Sequence, residues 1–253
     1  MRKNTALASL KAGKVIVGPA IYYGSPDLAE TVAHMGFDFV WLDWQHGQFT
    51  EHTLNDALGR FLAVDSTPLV RVKSHEPGTI NRVLDMGAMG LVAPMVDNAE
   101  QARAVTRPVY YPPLGTRSGG GVRLALIGGS GTPEYYAKAN DEMLLVLMVE
   151  TEQAIGQIES IVKVPGVHVV LVGPGDLMID VKAHGHDEAH HEQLVQKVLQ
   201  SCQRAGVAAG YVCPTLESAE KRRAEGFRFF CYMSDTAILA SGLREARAQS
   251  KGW

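Results

Sequence analysis

Five side chains able to do acid, base or cation chemistry stand at or just beyond the ends of short apolar runs. They are Asp43 and His46 in "FVWLDWQHG", Arg71 in "LVRVK", Glu150 in "LLVLMVET" and Asp176 in "VVLVGPGDL". Two carboxylates can hold a hard divalent cation and leave positions open for a ligand. A bidentate 2-oxo acid suits those open positions. An arginine inside an apolar run needs an acidic or ligand partner. With a cation beside it, that arginine can stabilise an enolate oxygen formed when an α-proton leaves or a C–C bond breaks. A neighbouring histidine can carry the proton. The backbone N–H groups of the "GPGD" stretch form a cradle suited to a carboxylate. Each residue also has a plain structural role. Glu150 can cap a helix, Asp176 can close a turn, and His46 can be a hydrogen-bonded rim residue. Their shared placement at run ends is what favours chemistry.

The elements that must position them recur along the whole chain. Eight apolar runs, "KVIVGPAIYY", "FDFVWLDW", "TPLVRVK", "GLVAPMV", "MLLVLMVE", "VHVVLVGP", "GVAAGYVC" and "FRFFCYM", read as strands covered on both faces. Helical patterns alternate with them. "SPDLAETVAHMG" starts with a Ser cap and an early Pro, and two later patterns end at Gly206 and Gly226. "TEQAIGQIESIVKV" reads as one further helix. Eight strand-plus-helix units predict a single (β/α)8 TIM barrel domain over residues 1–253, with an open doubly wound sheet as the alternative. A barrel places its active site at the C-terminal strand ends, where these residues fall. The long Gly- and Pro-rich stretch Tyr110–Gly131 is expected over that mouth, because it follows the fourth strand.

Composition narrows the partners. With 46% hydrophobic and 20% charged residues and a net charge of −3, the 253-residue chain gives no sign of a nucleic-acid or membrane-surface partner. No apolar run reaches the roughly 20 residues of a membrane helix. No signal-peptide pattern is visible, and the three scattered cysteines, Cys202, Cys213 and Cys231, form no disulfide or zinc spacing. A cytoplasmic location is the expectation. The histidines of "HGHDEAHHEQ" are expected on a solvated helix face rather than in a second metal site. The C-terminal "DTAILASGLREARAQSKGW" reads as an amphipathic helix that could be the eighth of the barrel. "GGSGTPEYYAKAN" is Gly-rich but lacks the strand a nucleotide loop requires.

These segments resemble the HpcH/HpaI family of class II pyruvate aldolases over essentially the full length. The resemblance rests on "MGFDFVWLDWQHG", "LVRVKSHEPGTINRVLDMGAMGLVAPMVDNAEQA", "YYPPLGTRSGG" and "VETEQAIGQIESIVKVPGVHVVLVGPGDL" taken together. It implies a metal-dependent barrel that forms and cleaves 4-hydroxy-2-oxo acids from an enolised pyruvate and an aldehyde. It also implies a homotrimer or homohexamer with the C-terminal helix exchanged between subunits. By resemblance, Glu150 and Asp176 hold the divalent ion (Mg²⁺, Mn²⁺ or Co²⁺), Arg71 stabilises the enolate, and His46 is the general base. Asp85 matches an aspartate that supports that histidine, with Asp43 a second candidate. Barrel geometry alone puts Asp85 near the opposite end or in a subunit contact. The chain departs from its relatives at Gln45, Met148, Gly175 and Ala20, which implies an altered pocket and a donor or acceptor of its own, hydroxypyruvate among the donors. A decarboxylase of oxaloacetate-like acids and a non-catalytic 2-oxo acid binder are the competing readings.

Overall fold

The computed structural model describes residues 1–129 and 131–253; Ser130, within the Tyr110–Gly131 stretch, lies outside the described residues. The eight apolar runs are eight strands: β1 Ile16–Ile21, β2 Phe39–Asp43, β3 Thr67–Arg71, β4 Gly90–Ala93, β5 Leu144–Val149, β6 Val169–Val172, β7 Ala208–Cys213 and β8 Phe229–Ser234. Each pairs in parallel with the next, and β1 pairs with β8 through Ile16↔Phe229 and Val17↔Phe230. That last pairing closes the barrel and excludes the open sheet.

Closure explains why the strands lack polar alternation. Side chains of one parity point into the barrel and those of the other parity point at the helices. Ile16, Phe39, Leu69, Leu144, Val169 and Phe229 fill the lower interior, with Phe39 and Phe229 stacked at 4.5 Å. Val40, Leu42, Val70, Leu145, Leu147 and Val170 pack outward in the layer shared with the helices. Helix Thr5–Lys11, capped by Asn4, seals the lower end with Ala6, Leu7 and Leu10. The same parity continues upward. In β2 it runs Phe39, Trp41, Asp43; in β3 Leu69, Arg71; beyond β5 it runs Leu144, Val146, Met148, Glu150. A carboxylate, a guanidinium and a second carboxylate therefore top the interior columns.

Helix boundaries follow local chemistry. Ser25 accepts from the Leu28 N–H, with Pro26 in the first turn, and Gly206 and Gly226 end their helices in the left-handed conformation. Three readings are revised. The "TEQAIGQIESIVKV" segment is two short helices, Glu152–Gly156 and Ile158–Ile161, broken at Gln157. The "GPGD" stretch is no isolated turn but the start of helix Pro174–Ala183, with Gly173 as its N-cap. The third concerns the long loop. Helix Ala99–Val109 intervenes after β4 and returns the chain to the lower end, so the described part of Tyr110–Gly131 lies away from the mouth. There Ile127 O accepts from the Arg2 N–H at 2.7 Å, and the Arg123 guanidinium donates to Asn55 O at 2.8 Å.

The C-terminal helix Asp235–Gln249 does not lie along its own barrel as an eighth helix. Asp235 fixes its first turn by accepting the Tyr22 and Tyr23 N–H groups at 2.9 Å. Beyond that turn Ile238, Leu239 and Leu243 are 52%, 48% and 61% exposed. Beside the first turn opens an apolar groove of about 560 Å³, walled by Ile21, Leu28, Val32, Met35 and Phe37. Among the described residues no helix is long and apolar enough to cross a membrane.

Candidate active site

A cavity of about 470 Å³ opens at the C-terminal end of the barrel. Arg71, Glu150 and Asp176 line it together with His46, Met148, Ala20 and Gly175. Seven of the ten residues singled out from sequence thus meet in one place.

Glu150 follows β5 directly and is 2% exposed. Its Oε2 accepts the Met95 N–H at 2.8 Å. Met95 reaches that position with φ of 52°, a conformation that costs a non-glycine residue of order 1–3 kcal/mol unless its surroundings hold it. Burial pushes the Glu150 carboxyl up to about 7, with the neighbouring Asp176 charge adding to the effect and the Met95 hydrogen bond and Arg71 charge opposing it. Asp176 stands in the first turn of helix Pro174–Ala183. Glu150 is buried and Asp176 is exposed at the mouth, and two carboxylates brought together repel unless a proton or a cation lies between them. The donor set is all oxygen, so a hard divalent cation fits it.

Arg71 ends β3 and faces Asp43, its register partner at the end of β2. The Arg71 Nη2 donates to Asp43 Oδ2, and the guanidinium lies 5.2 Å from the Trp41 ring centroid. Its Nε is buried and has no partner among the described residues, while the residue itself lines the cavity. Asp43 itself is fully buried and does not reach the cavity. Its Oδ1 accepts the N–H groups of Gln45 at 3.0 Å and His46 at 2.9 Å, and its Oδ2 accepts from Trp41 Nε1 at 3.3 Å. The carboxylate therefore holds the turn that carries His46 through the backbone rather than through the imidazole. His46 is exposed at the mouth.

Gln45 is absent from the cavity wall; its Oε1 is buried without a partner among the described residues. Asp85 stands apart too. It ends helix Pro77–Asp85 and accepts from Arg117 Nη2 at 3.1 Å, while Arg117 Nη1 donates to the Tyr135 hydroxyl at 3.0 Å. It does not line the cavity, and its carboxylate is held by Arg117.

The cavity wall also contains residues with no conspicuous signature in the sequence. Tyr22, Trp41, Val212, Cys231 and Met233 line it. All lie at inward parity on their strands or one step beyond, so strand alternation was the available signal. Burial pushes the Tyr22 phenol up to about 12, with the Asp43 charge adding to the effect. Burial likewise raises the thiols of Cys213 to about 11 and Cys231 to about 12. They stay protonated at neutral pH and serve as apolar wall, not as nucleophiles. No lysine lines the cavity among the described residues. Lys73 lies beyond β3, exposed, with its Nζ 4.2 Å from the Trp44 ring centroid.

Comparison with known proteins matches residues 22–241 to the family model "HpcH/HpaI aldolase/citrate lyase". A 4-hydroxy-2-oxo-heptane-1,7-dioate aldolase from Klebsiella pneumoniae is 32% identical over 248 residues, covering 97% of this chain and 93% of that protein. A hydroxypyruvate/pyruvate aldolase from Roseovarius nubinhibens is 32% identical over 247 residues, covering 97% and 96%. The crystal structure of an HpcH/HpaI aldolase/citrate lyase family protein from Burkholderia cenocepacia superposes with a TM-score of 0.89 at 26% identity, covering 99% of this chain and all of that one.

Proposed function

The chain belongs to the HpcH/HpaI aldolase/citrate lyase family, and we propose that it is a divalent-metal-dependent aldolase that cleaves and forms 4-hydroxy-2-oxo acids. It is a carbon–carbon lyase. The observation that carries the reading is the meeting of Glu150, Asp176 and Arg71 in one cavity whose described wall holds no lysine. That composition favours metal-assisted enolisation over a Schiff base.

Glu150 and Asp176 would hold Mg²⁺, Mn²⁺ or Co²⁺. When bound, the cation supplies Lewis acidity that stabilises negative charge on the keto-acid oxygens. Arg71 donates to the enolate oxygen, and the buried Asp43 keeps the guanidinium in place. The N–H groups of Gly175 and Asp176, at the start of a ten-residue helix, receive the substrate carboxylate. His46 moves the proton at the mouth, and Asp43 is its positioning residue. Met148, Ala20 and Val212 form an apolar flank that shapes the choice of partners. Pyruvate and hydroxypyruvate are the donors to compare, with an aldehyde as acceptor. The buried free thiols of Cys202, Cys213 and Cys231 support a reducing, cytoplasmic setting.

The test is a screen of 2-oxo acid donors against aldehydes with metal restored, measuring aldehyde and CO₂ separately. Aldehyde released in step with the 2-oxo acid is the expected result. CO₂ release without aldehyde would make the enzyme a decarboxylase on the same enolate chemistry.

The assembly is a homo-oligomer in which the C-terminal helix seats on a second copy of the chain. Ile238, Leu239 and Leu243 share one side of that helix and are exposed, and Ile238 and Leu239 line the apolar groove. Leu239→Glu combined with Leu243→Glu is expected to shift the protein to smaller species in sedimentation while the far-UV CD spectrum stays unchanged. An unaltered sedimentation profile would remove the helix from the interface.

A further inference from the structure

The "HGHDEAHH" stretch joins helix Pro174–Ala183 to helix Glu188–Ala205. Its side chains do not simply radiate into solvent. Glu152, which begins the helix after β5, places its carboxylate against two of them. Oε1 lies 2.8 Å from His186 Nδ1, and Oε2 lies 3.4 Å from His190 Nε2. The two imidazole rings are 4.2 Å apart between centroids. Asp180 Oδ2 accepts the Glu152 N–H at 2.8 Å and so fixes the glutamate from behind.

Hydrogen bonding leaves this cluster incomplete. The His190 Nε2 is buried at the atom and has no hydrogen-bond partner among the described residues, although it faces a carboxylate. A buried nitrogen held close to a carboxylate without a well-aligned hydrogen bond leaves room for a cation between the two. One carboxylate and two imidazoles offer three donor atoms within 4.8 Å of one another. Four-coordinate Zn²⁺, with bonds near 2.0–2.1 Å, separates neighbouring donor atoms by roughly 3.3 Å. The 2.8 and 3.4 Å contacts reach different carboxylate oxygens, and one donor atom from each of the three residues lies within 4.8 Å of the others, so small side-chain rotations bring them to that spacing.

The geometry points to a second metal site on the rim of the barrel, formed by Glu152, His186 and His190 and suited to a borderline transition-metal ion of the Zn²⁺ class. Its nitrogen-rich donor set separates it chemically from the all-oxygen pair Glu150 and Asp176, which suits harder cations. The fourth position is left to water. The ion would brace three segments: the helix after β5, the connection around His186 and the start of helix Glu188–Ala205. It would thereby stiffen the segment that follows Glu150.

The test uses the untagged full-length protein with saturating Mg²⁺, titrated with Zn²⁺ by calorimetry and followed by thermal unfolding. One Zn²⁺ per chain is expected, with a rise in Tm. His186→Ala with His190→Ala should weaken that binding at least 100-fold, and Glu152→Gln should do likewise. Zn²⁺-free Tm values of these variants report whether the fold is intact. Glu150→Gln should keep the site, and His184→Ala should change affinity no more than threefold. Zn²⁺ binding that survives loss of both histidines, that disappears with Glu150→Gln, or that is missing from the unaltered protein would overturn the assignment.

Discussion

Arg71→Lys is expected to lower kcat for C–C cleavage by roughly 10²–10³-fold, the usual effect of removing one preorganised donor to a developing oxyanion. Lysine keeps a positive charge beside Asp43 but loses the planar fork. One face of that fork meets Asp43, and its buried Nε has no protein partner among the described residues. The fold should persist, because Asp43 still faces a cation. Arg71→Ala should lose cleavage altogether and also cost stability. It strands a fully buried carboxylate, a loss of about 3–5 kcal/mol for a broken buried pair. Asp43 would still accept from Trp41, Gln45 and His46, so partial relief is built in. Steady-state kinetics and thermal unfolding of both variants check this. An Arg71→Lys enzyme with full kcat would remove Arg71 from the chemistry.

Gly173→Ala is expected to weaken binding of the catalytic metal by roughly 10- to 100-fold, the range found when groups supporting a ligand are altered. Gly173 has ordinary backbone angles, φ −92° and ψ 93°, so alanine is not refused by the backbone. It is refused by the neighbour. A Cβ there would lie 2.4 Å from Glu150 Oε1 and 2.9 Å from its Cγ. Glu150 cannot retreat freely, because Oε2 is tied to the Met95 N–H. Gly175→Ala, two residues on, provides the contrast. Its Cβ would meet nothing within 4 Å, and the position is helical. Metal affinity should stay within about twofold, and stability should rise by about 0.4–1 kcal/mol through the unfolded chain. Calorimetric titration of Mn²⁺ into both variants distinguishes them. Equal affinities would mean that Glu150 is not the ligand whose position matters.

The barrel was legible because apolar runs with both faces covered leave little else for eight strands to do. Its closure was not, since the β1–β8 pairing has no local signature. The chemistry of Arg71, Glu150 and Asp176 was visible because charged groups are conspicuous at the ends of apolar runs. The role of Asp43 was less so. A carboxylate three residues before a histidine suggests a side-chain partner, yet its oxygens are taken by backbone N–H groups and Arg71. Met95 was beyond reach, because the contribution is a backbone N–H from a residue at positive φ. The loop after Tyr110 falls at the mouth only if strands are counted and helix Ala99–Val109 is not. Gln45 stands next to His46 in sequence but turns away from the cavity, so adjacency in the chain did not carry over to the site.

Solvent-proton exchange at C3 of pyruvate tests metal-dependent enolisation most directly. It needs no knowledge of the natural aldehyde. With Mn²⁺ or Mg²⁺ present, NMR in D₂O is expected to show enzyme-dependent loss of the methyl signal. The exchange should stop after treatment with a chelator and return when metal is restored. Exchange that continues unchanged in the chelated enzyme would mean that enolisation does not depend on a metal.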